Sequence, residues 1–204
     1  MDLSLIFFLI ILIFSVIIHE IAHGSVANLL GDPTARLAGR LSLNPLKHLD
    51  WFGSFILPLF LIILKSPVLI GWAKPVPINP SNFKNPKWDS AKVALAGPSV
   101  NFLIALFFGL LIRFFSLPSS LFFLFSFIVA LNLVLAVFNL IPLPPLDGSY
   151  FLFSILPNRF NQLKIFLQQF GLIILLLLIV FGAQWLFLIV QGLYFLITGQ
   201  PLVI

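Results

Sequence analysis

The chain has 204 residues, 61% of them hydrophobic and only 8% charged, with a mean hydropathy of +1.17. Soluble domains are about half apolar and a quarter charged, so this composition excludes a wetted globule and implies several helices in a lipid bilayer. The apolar residues run unbroken, without the two-residue alternation of an outer-membrane barrel, and the net charge of +5 lies between the runs, where it reads as membrane orientation and implies no nucleic-acid partner.

The first apolar run, Leu3 to Leu30, exceeds the roughly 20 residues needed to cross a bilayer. It has no basic leading region and no small-residue cleavage site behind it, so it is expected to be a retained helix. Inside it stands His19-Glu20-Ile21-Ala22-His23. Histidines four apart project from one helix face, so both imidazoles can meet one ion with the intervening glutamate beside it as a general base. Glu20 is the only glutamate of the chain. Ionisable groups inside a membrane helix are costly and functional by default.

The loop that follows carries Asp32, Arg36, Arg40, Lys47, His48 and Asp50. Asp32 and Asp50, like Asp89 further on, read as ordinary solvated or capping groups beside basic residues. His48, in the polar turn Asn44-Pro45-Leu46-Lys47-His48, reads as an interface residue. The next run, Trp51 to Leu64, is flanked by Arg36, Arg40 and Lys47 on one side and by Lys74, Lys84, Lys87 and Lys92 on the other. Were it to cross, one cluster would face outside against the positive-inside bias, so residues 51–70 are expected to form a re-entrant or interfacial segment. Leu37 to Leu43 and Val76 to Ile78 carry strand-like residues between turn signals and are expected to pair as a small membrane-embedded β-sheet, with a plain loop as the alternative. Pro75 and Pro77 would restrict the second of these to an edge.

Ala91 to Phe115 and Leu121 to Ile141 are the next spans. Leu163 to Phe181 and Gln184 to Ile197 read as two more, joined at Gly182-Ala183 in a tight helical hairpin. The expected fold is an all-α polytopic membrane protein of about five transmembrane helices plus the re-entrant segment and the small sheet. No repeat or low-complexity linker divides it, so residues 1–204 form one domain, with a core over about 3–150 and the hairpin over about 161–199. The charge bias puts the N-terminus outside, residues 31–90 in the cytoplasm, Ser116 to Ser120 outside and Leu143 to Gln162 in the cytoplasm. Arg113, near the outer end of its helix, is expected to snorkel to the interface.

A catalytic zinc takes three protein ligands and keeps one position open. With no cysteine in the chain, the third ligand must be the last histidine or a carboxylate. Asp147 is the best candidate. It follows Asn139-Leu140-Ile141-Pro142-Leu143-Pro144-Pro145-Leu146 and precedes Gly148, where three prolines free the backbone from helix and the glycine allows a turn. In the expected orientation His23 lies about 10 Å from the cytoplasmic end of its helix, the side on which Asp147 emerges.

With these motifs the chain resembles the site-2 protease type of intramembrane zinc metalloprotease. The resemblance rests on His19 to His23, on Ala96-Gly97-Pro98-Ser99-Val100-Asn101, and on Asn139 through Asp147-Gly148. Gly71-Trp72-Ala73-Lys74-Pro75-Val76-Pro77 also looks like a segment typical of compact members of that family. It covers most of residues 15–150. It implies that His19, His23 and Asp147 bind one zinc ion, that Glu20 activates a water there, and that Asn139 helps to hold the substrate. The chain departs from larger relatives in lacking a PDZ-like insertion or a regulatory domain, and it starts almost directly at the zinc-binding helix.

The reaction implied is hydrolysis of a peptide bond in or beside a transmembrane segment of a membrane-protein substrate. Asn139 could donate a hydrogen bond to the developing oxyanion. The substrate helix must unwind to expose its carbonyls, and the edge of the small sheet could take it as an added strand. Two other classes compete. A divalent-metal transporter would use the same ligands as a transit site, yet no internal repeat is present and Glu20 would have no special role. An inactive membrane scaffold would have no need of Glu20 as a base.

Overall fold

The computed structural model describes residues 3–56, 60, 63, 64 and 74–202. Those residues are helical or irregular, and no strand occurs among them. Two compact units divide the chain, residues 1–84 and residues 85–204.

In the first unit, α1 runs from Leu3 to Leu29. Gly31 ends it with φ of 106°, a backbone conformation that costs glycine little, and Asp32 N–H donates back to Ala27 O at 2.9 Å to satisfy a terminal carbonyl. A single turn, α2, follows at Thr34–Leu37. Pro45–Lys47 makes a 3-10 turn capped by the Asn44 side chain, and Trp51–Ile56 is π-helical. Residues 74–79 have no regular secondary structure and lead into a second 3-10 turn at Pro80–Asn82.

The sheet expected of 37–43 and 76–78 does not form, and the backbone donors of residues 37–40 and of Val76 are engaged elsewhere. The N–H groups of Leu37, Ala38, Gly39 and Arg40 donate within their own turn, to Pro33, Thr34, Arg36 and Ala35 carbonyls. Pro75 and Pro77 have no N–H, and that of Val76 goes to Glu20 Oε2. Most of the re-entrant segment expected over 51–70, and the Gly71-Trp72-Ala73 part of its continuation, lie outside the described residues.

The second unit is a bundle. Asn85 caps α3, Pro86–Phe114, by accepting from Trp88 N–H, while Asp89 Oδ2 accepts from Asn85 N–H at 3.0 Å. Helix α4 spans Ser119–Asn139, α5 spans Asp147–Ile155, and α6 spans Asn161–Thr198 before Gly199 stops it at φ of 74°. Helix α3 packs against α4, α5 and α6, and α4 also packs against α6. Ala105, Val129, Leu133, Val190 and Ile197 meet in the core of this unit. Polar groups are paired within it, as a buried group in an apolar bundle must be. Asn101 Nδ2 donates to Asn132 Oδ1 at 2.8 Å, and Tyr194 Oη donates to Ser126 Oγ at 2.9 Å.

The expected hairpin at Gly182-Ala183 is absent, since both residues lie inside one continuous 38-residue helix. A glycine in a helix costs about 1 kcal/mol relative to alanine. A turn within the bilayer would strand several backbone polar groups at several kcal/mol each, and Gly-Ala offers no side chain to satisfy them. Four described helices, α1, α3, α4 and α6, are long and apolar enough to cross a membrane. At 1.5 Å per residue α6 is about 57 Å long, well beyond a hydrocarbon core of about 30 Å.

Candidate metal centre

On one face of the largely apolar helix α1, the buried residues Ser15, His19 and His23 follow each other at intervals of one turn. The two imidazoles are 7% and 6% exposed, and their Nε2 atoms stand 3.0 Å apart with the rings edge to face. Zinc bonds to histidine of about 2.0–2.1 Å at a tetrahedral angle separate two ligand nitrogens by about 3.3 Å. Small adjustments would therefore let both nitrogens hold one zinc, and two buried imidazoles are a donor set that suits it. Glu20, half-buried on the adjoining face, accepts the backbone N–H of Val76 at Oε2, 2.8 Å away.

The loop beyond α1 is built around buried polar groups. Asp32 is fully buried and accepts from Thr34 N–H and Oγ1, from Asn79 N–H at 2.7 Å and from Asn82 Nδ2 at 2.7 Å. Burial pushes its carboxyl up, but the bonds from Thr34, Asn79 and Asn82 together outweigh this and hold it below the usual carboxylate range. Asp89 is likewise buried, so the solvated reading is wrong for both, and the capping reading holds for Asp89, which accepts from Asn85 N–H. Asp50 is a cap, accepting from Gly53 N–H at 2.7 Å. His48 is no interface residue. It is 2% exposed, and its Nε2 lies 2.8 Å from Ser42 O. Its neighbour in the loop, Arg40, is almost as buried and donates to the carbonyls of Lys47, Lys74 and Pro75. Burying a guanidinium is tolerated only when it is hydrogen-bonded in this way.

In the second unit, residues 140–146 are irregular, as three prolines require, and Asp147 is half-buried in the first turn of α5. Gly148 is needed for close approach, and its φ is not positive. A Cβ there would press on Leu140 O and lie 2.6 Å from Ile141 O. The start of α5 is thus seated directly on the end of α4, and Ser149 Oγ closes its first turn by donating to Leu146 O at 2.7 Å. Asn139, the last residue of α4, donates from Nδ2 to Leu135 O at 2.9 Å, within its own helix. Arg113 is exposed at the end of α3 and donates to Leu196 O at 2.7 Å.

Sequence reasoning found the histidine pair and missed the groups around it. Ser15 had a readable signal, a polar residue one turn before His19 on the same face. Arg40 had none.

A helical protein with several membrane-length helices, one of which buries a His-Glu-x-x-His pair with converging nitrogens, has the build of a multi-pass membrane metalloprotease. Comparison with known proteins agrees. The model of peptidase family M50 matches residues 7–121 and 115–178. The chain is 39% identical over 188 residues to "Putative zinc metalloprotease YwhC" of Bacillus subtilis, covering 87% of this chain and 82% of that one. It is 30% identical over 181 residues to "Putative zinc metalloprotease Rip2" of Mycolicibacterium smegmatis, covering 85% of this chain and 67% of the relative. A shorter match, 36% identical over 81 residues, joins 40% of this chain to 24% of "Zinc metalloprotease MJ0392" of Methanocaldococcus jannaschii. No solved structure gives a significant match. The chain belongs to peptidase family M50, the site-2 protease family.

Proposed function

We propose that this chain is an intramembrane zinc endopeptidase that hydrolyses a peptide bond in or next to a transmembrane segment of its protein substrates. The observation that carries this reading is the 3.0 Å approach of His19 Nε2 and His23 Nε2, both buried, in a helix long enough to cross the membrane. The relatives' names as zinc metalloproteases support zinc as the ion, and the reading places one per chain. Asp147 supplies the third ligand, since a carboxylate completes a set without thiolates in a chain without cysteine. When bound, zinc supplies a Lewis acid that polarises the scissile carbonyl and lowers the pKa of water towards about 7.

Glu20 takes the proton of the attacking water and returns it to the leaving amine. One hydrogen of the Asn139 amide is engaged by Leu135 O, and the second serves the oxyanion that develops on the substrate. A substrate helix hides its carbonyls in its own hydrogen bonds, so segments with Gly, Pro, Asn or Ser near the scissile bond are cut fastest. The positive-inside bias sets the N-terminus outside and the active site near the cytoplasmic face of the cell membrane.

The test is cleavage of a glycine-containing transmembrane substrate by the full chain in proteoliposomes, with zinc measured on the same samples. Glu20→Gln should keep its zinc and lose about 10²–10⁴-fold in turnover. Asn139→Ala should keep its zinc and lose about 10²-fold. Wild-type turnover in Glu20→Gln would refute the proposed mechanism.

A further inference from the structure

One peptide group in the first unit is held at both ends by charged side chains. Its N–H, that of Val76, donates to Glu20 Oε2 at 2.8 Å. Its C=O, that of Pro75, accepts from Arg40 Nη2 at 3.1 Å, and the same nitrogen donates to Lys74 O at 2.7 Å. A cation at the oxygen end and a carboxylate at the hydrogen end both lie along the peptide dipole. Each therefore strengthens the bond made by the other, and more so where water is excluded. Arg40 and Val76 are 9% and 6% exposed.

The local sequence is suited to presenting this one donor. Pro75 and Pro77 lack N–H groups, so Val76 carries the only backbone donor of the three residues. The residue before a proline is biased to extended backbone, and both Lys74 and Val76 precede one. The segment is tied on either side of the peptide, by Lys74 N–H to His48 O at 2.9 Å and by Asn79 N–H to Asp32 Oδ2 at 2.7 Å. It is also seated on α1. Gly24 lies one turn beyond Glu20, and a Cβ there would come within 2.8 Å of Val76 Cγ1 and 2.7 Å of Leu41 Cδ2.

We propose that Arg40 is a positioning residue for Glu20, acting through the Pro75–Val76 peptide group. This rests on the reading of Glu20 as the general base. Arg40 fixes the peptide, the peptide engages Oε2 and selects one orientation of a side chain with three rotatable bonds, and Oε1 is left as the oxygen that takes the proton. Arg40 itself touches neither water nor substrate. The lysine ends of its clamp do not matter to the mechanism, because only their backbone carbonyls take part.

The experiment uses the full chain in lipid nanodiscs, labelled with 15N-valine, with the Val76 amide resonance assigned through Val76→Ile. An amide donating to a carboxylate resonates downfield, so Glu20→Gln should move the resonance upfield. Arg40→Ala should do the same, and should lower kcat roughly 10²-fold with KM and zinc content unchanged. Arg40→Lys keeps the cation and should recover part of both effects. Gly24→Ala leaves Arg40 intact and crowds Val76, and should reproduce the shift and the fall in kcat. It guards against an Arg40→Ala chain that does not fold. An unmoved Val76 resonance in a folded Arg40→Ala chain would overturn the relay. A moved resonance with unchanged kcat would overturn the positioning role. If Glu20→Gln itself turned over normally, the base assignment would fail first, and the positioning role with it, whereas the resonance shift would still report separately on the peptide contact.

Discussion

If Asp147 is the third ligand, as proposed, Gly148→Ala should weaken both zinc binding and turnover, although the residue carries no functional group. The Cβ would lie 2.6 Å from Ile141 O and would also press on Leu140 O. Carbon atoms approach carbonyl oxygens to about 3.3–3.6 Å, so the start of α5 must move away by roughly 0.7–1.0 Å by subtraction. The proline-rich turn that joins α4 to α5 opposes that movement. Overpacking of this kind costs about 1–3 kcal/mol in stability. Asp147 precedes Gly148 in the chain and moves with it. A displacement near 1 Å at a reacting centre costs on the order of 10² in rate. The assay is zinc content by mass spectrometry together with cleavage of a transmembrane substrate, with Gly109→Ala, remote along α3, as a packing control for the same unit. Gly148→Ala protein that folds, holds one zinc per chain and cuts at the wild-type rate would refute the reasoning.

Three further outcomes are expected. The Asp32 carboxyl is held below its ordinary value, so its contribution to stability is full above about pH 4 and is lost as pH falls through its lowered pKa. The difference in thermal stability between wild type and Asp32→Asn should therefore shrink on acidification from pH about 6 to about 3, and a constant difference would contradict this. Asn101→Leu, which strips Asn132 of a buried donor, should destabilise the second unit by about 1 kcal/mol in a reversible unfolding assay in bicelles, with the Asn101→Leu/Asn132→Leu pair costing less than the sum of the singles. Cysteines placed at the exposed Asn44 and Asn82 should both label from the cytoplasmic side, and labelling from opposite sides would overturn the orientation of α1.

What could be read from the chain alone was whatever depends on composition or on spacing within one helix. The membrane class follows from 8% charged residues. The histidine pair follows from the fixed geometry of residues four apart, and its nitrogens converge in the structure as that geometry requires. The irregular turn before Asp147 follows from prolines, whose backbone restrictions are local.

Properties that depend on which chain segment lies next to which were decided by the tertiary structure. Asp32 and His48 look like loop residues in sequence, and only the return of segment 74–79 buries one and anchors the other. Gly148 resembles a turn glycine, yet it is required because two helix ends meet there without room for a methyl group. Gly182-Ala183 reads as a break between two spans, but a helix interrupted in lipid must satisfy its backbone from outside, and this helix simply continues. The strand signal of Val76 was outweighed in the same way. Its side chain favours a sheet, while its single N–H has a stronger acceptor in the carboxylate of Glu20. A hydrogen-bond donor goes to the best acceptor the fold brings within reach, and the identity of that acceptor is not written in the donor's own neighbours.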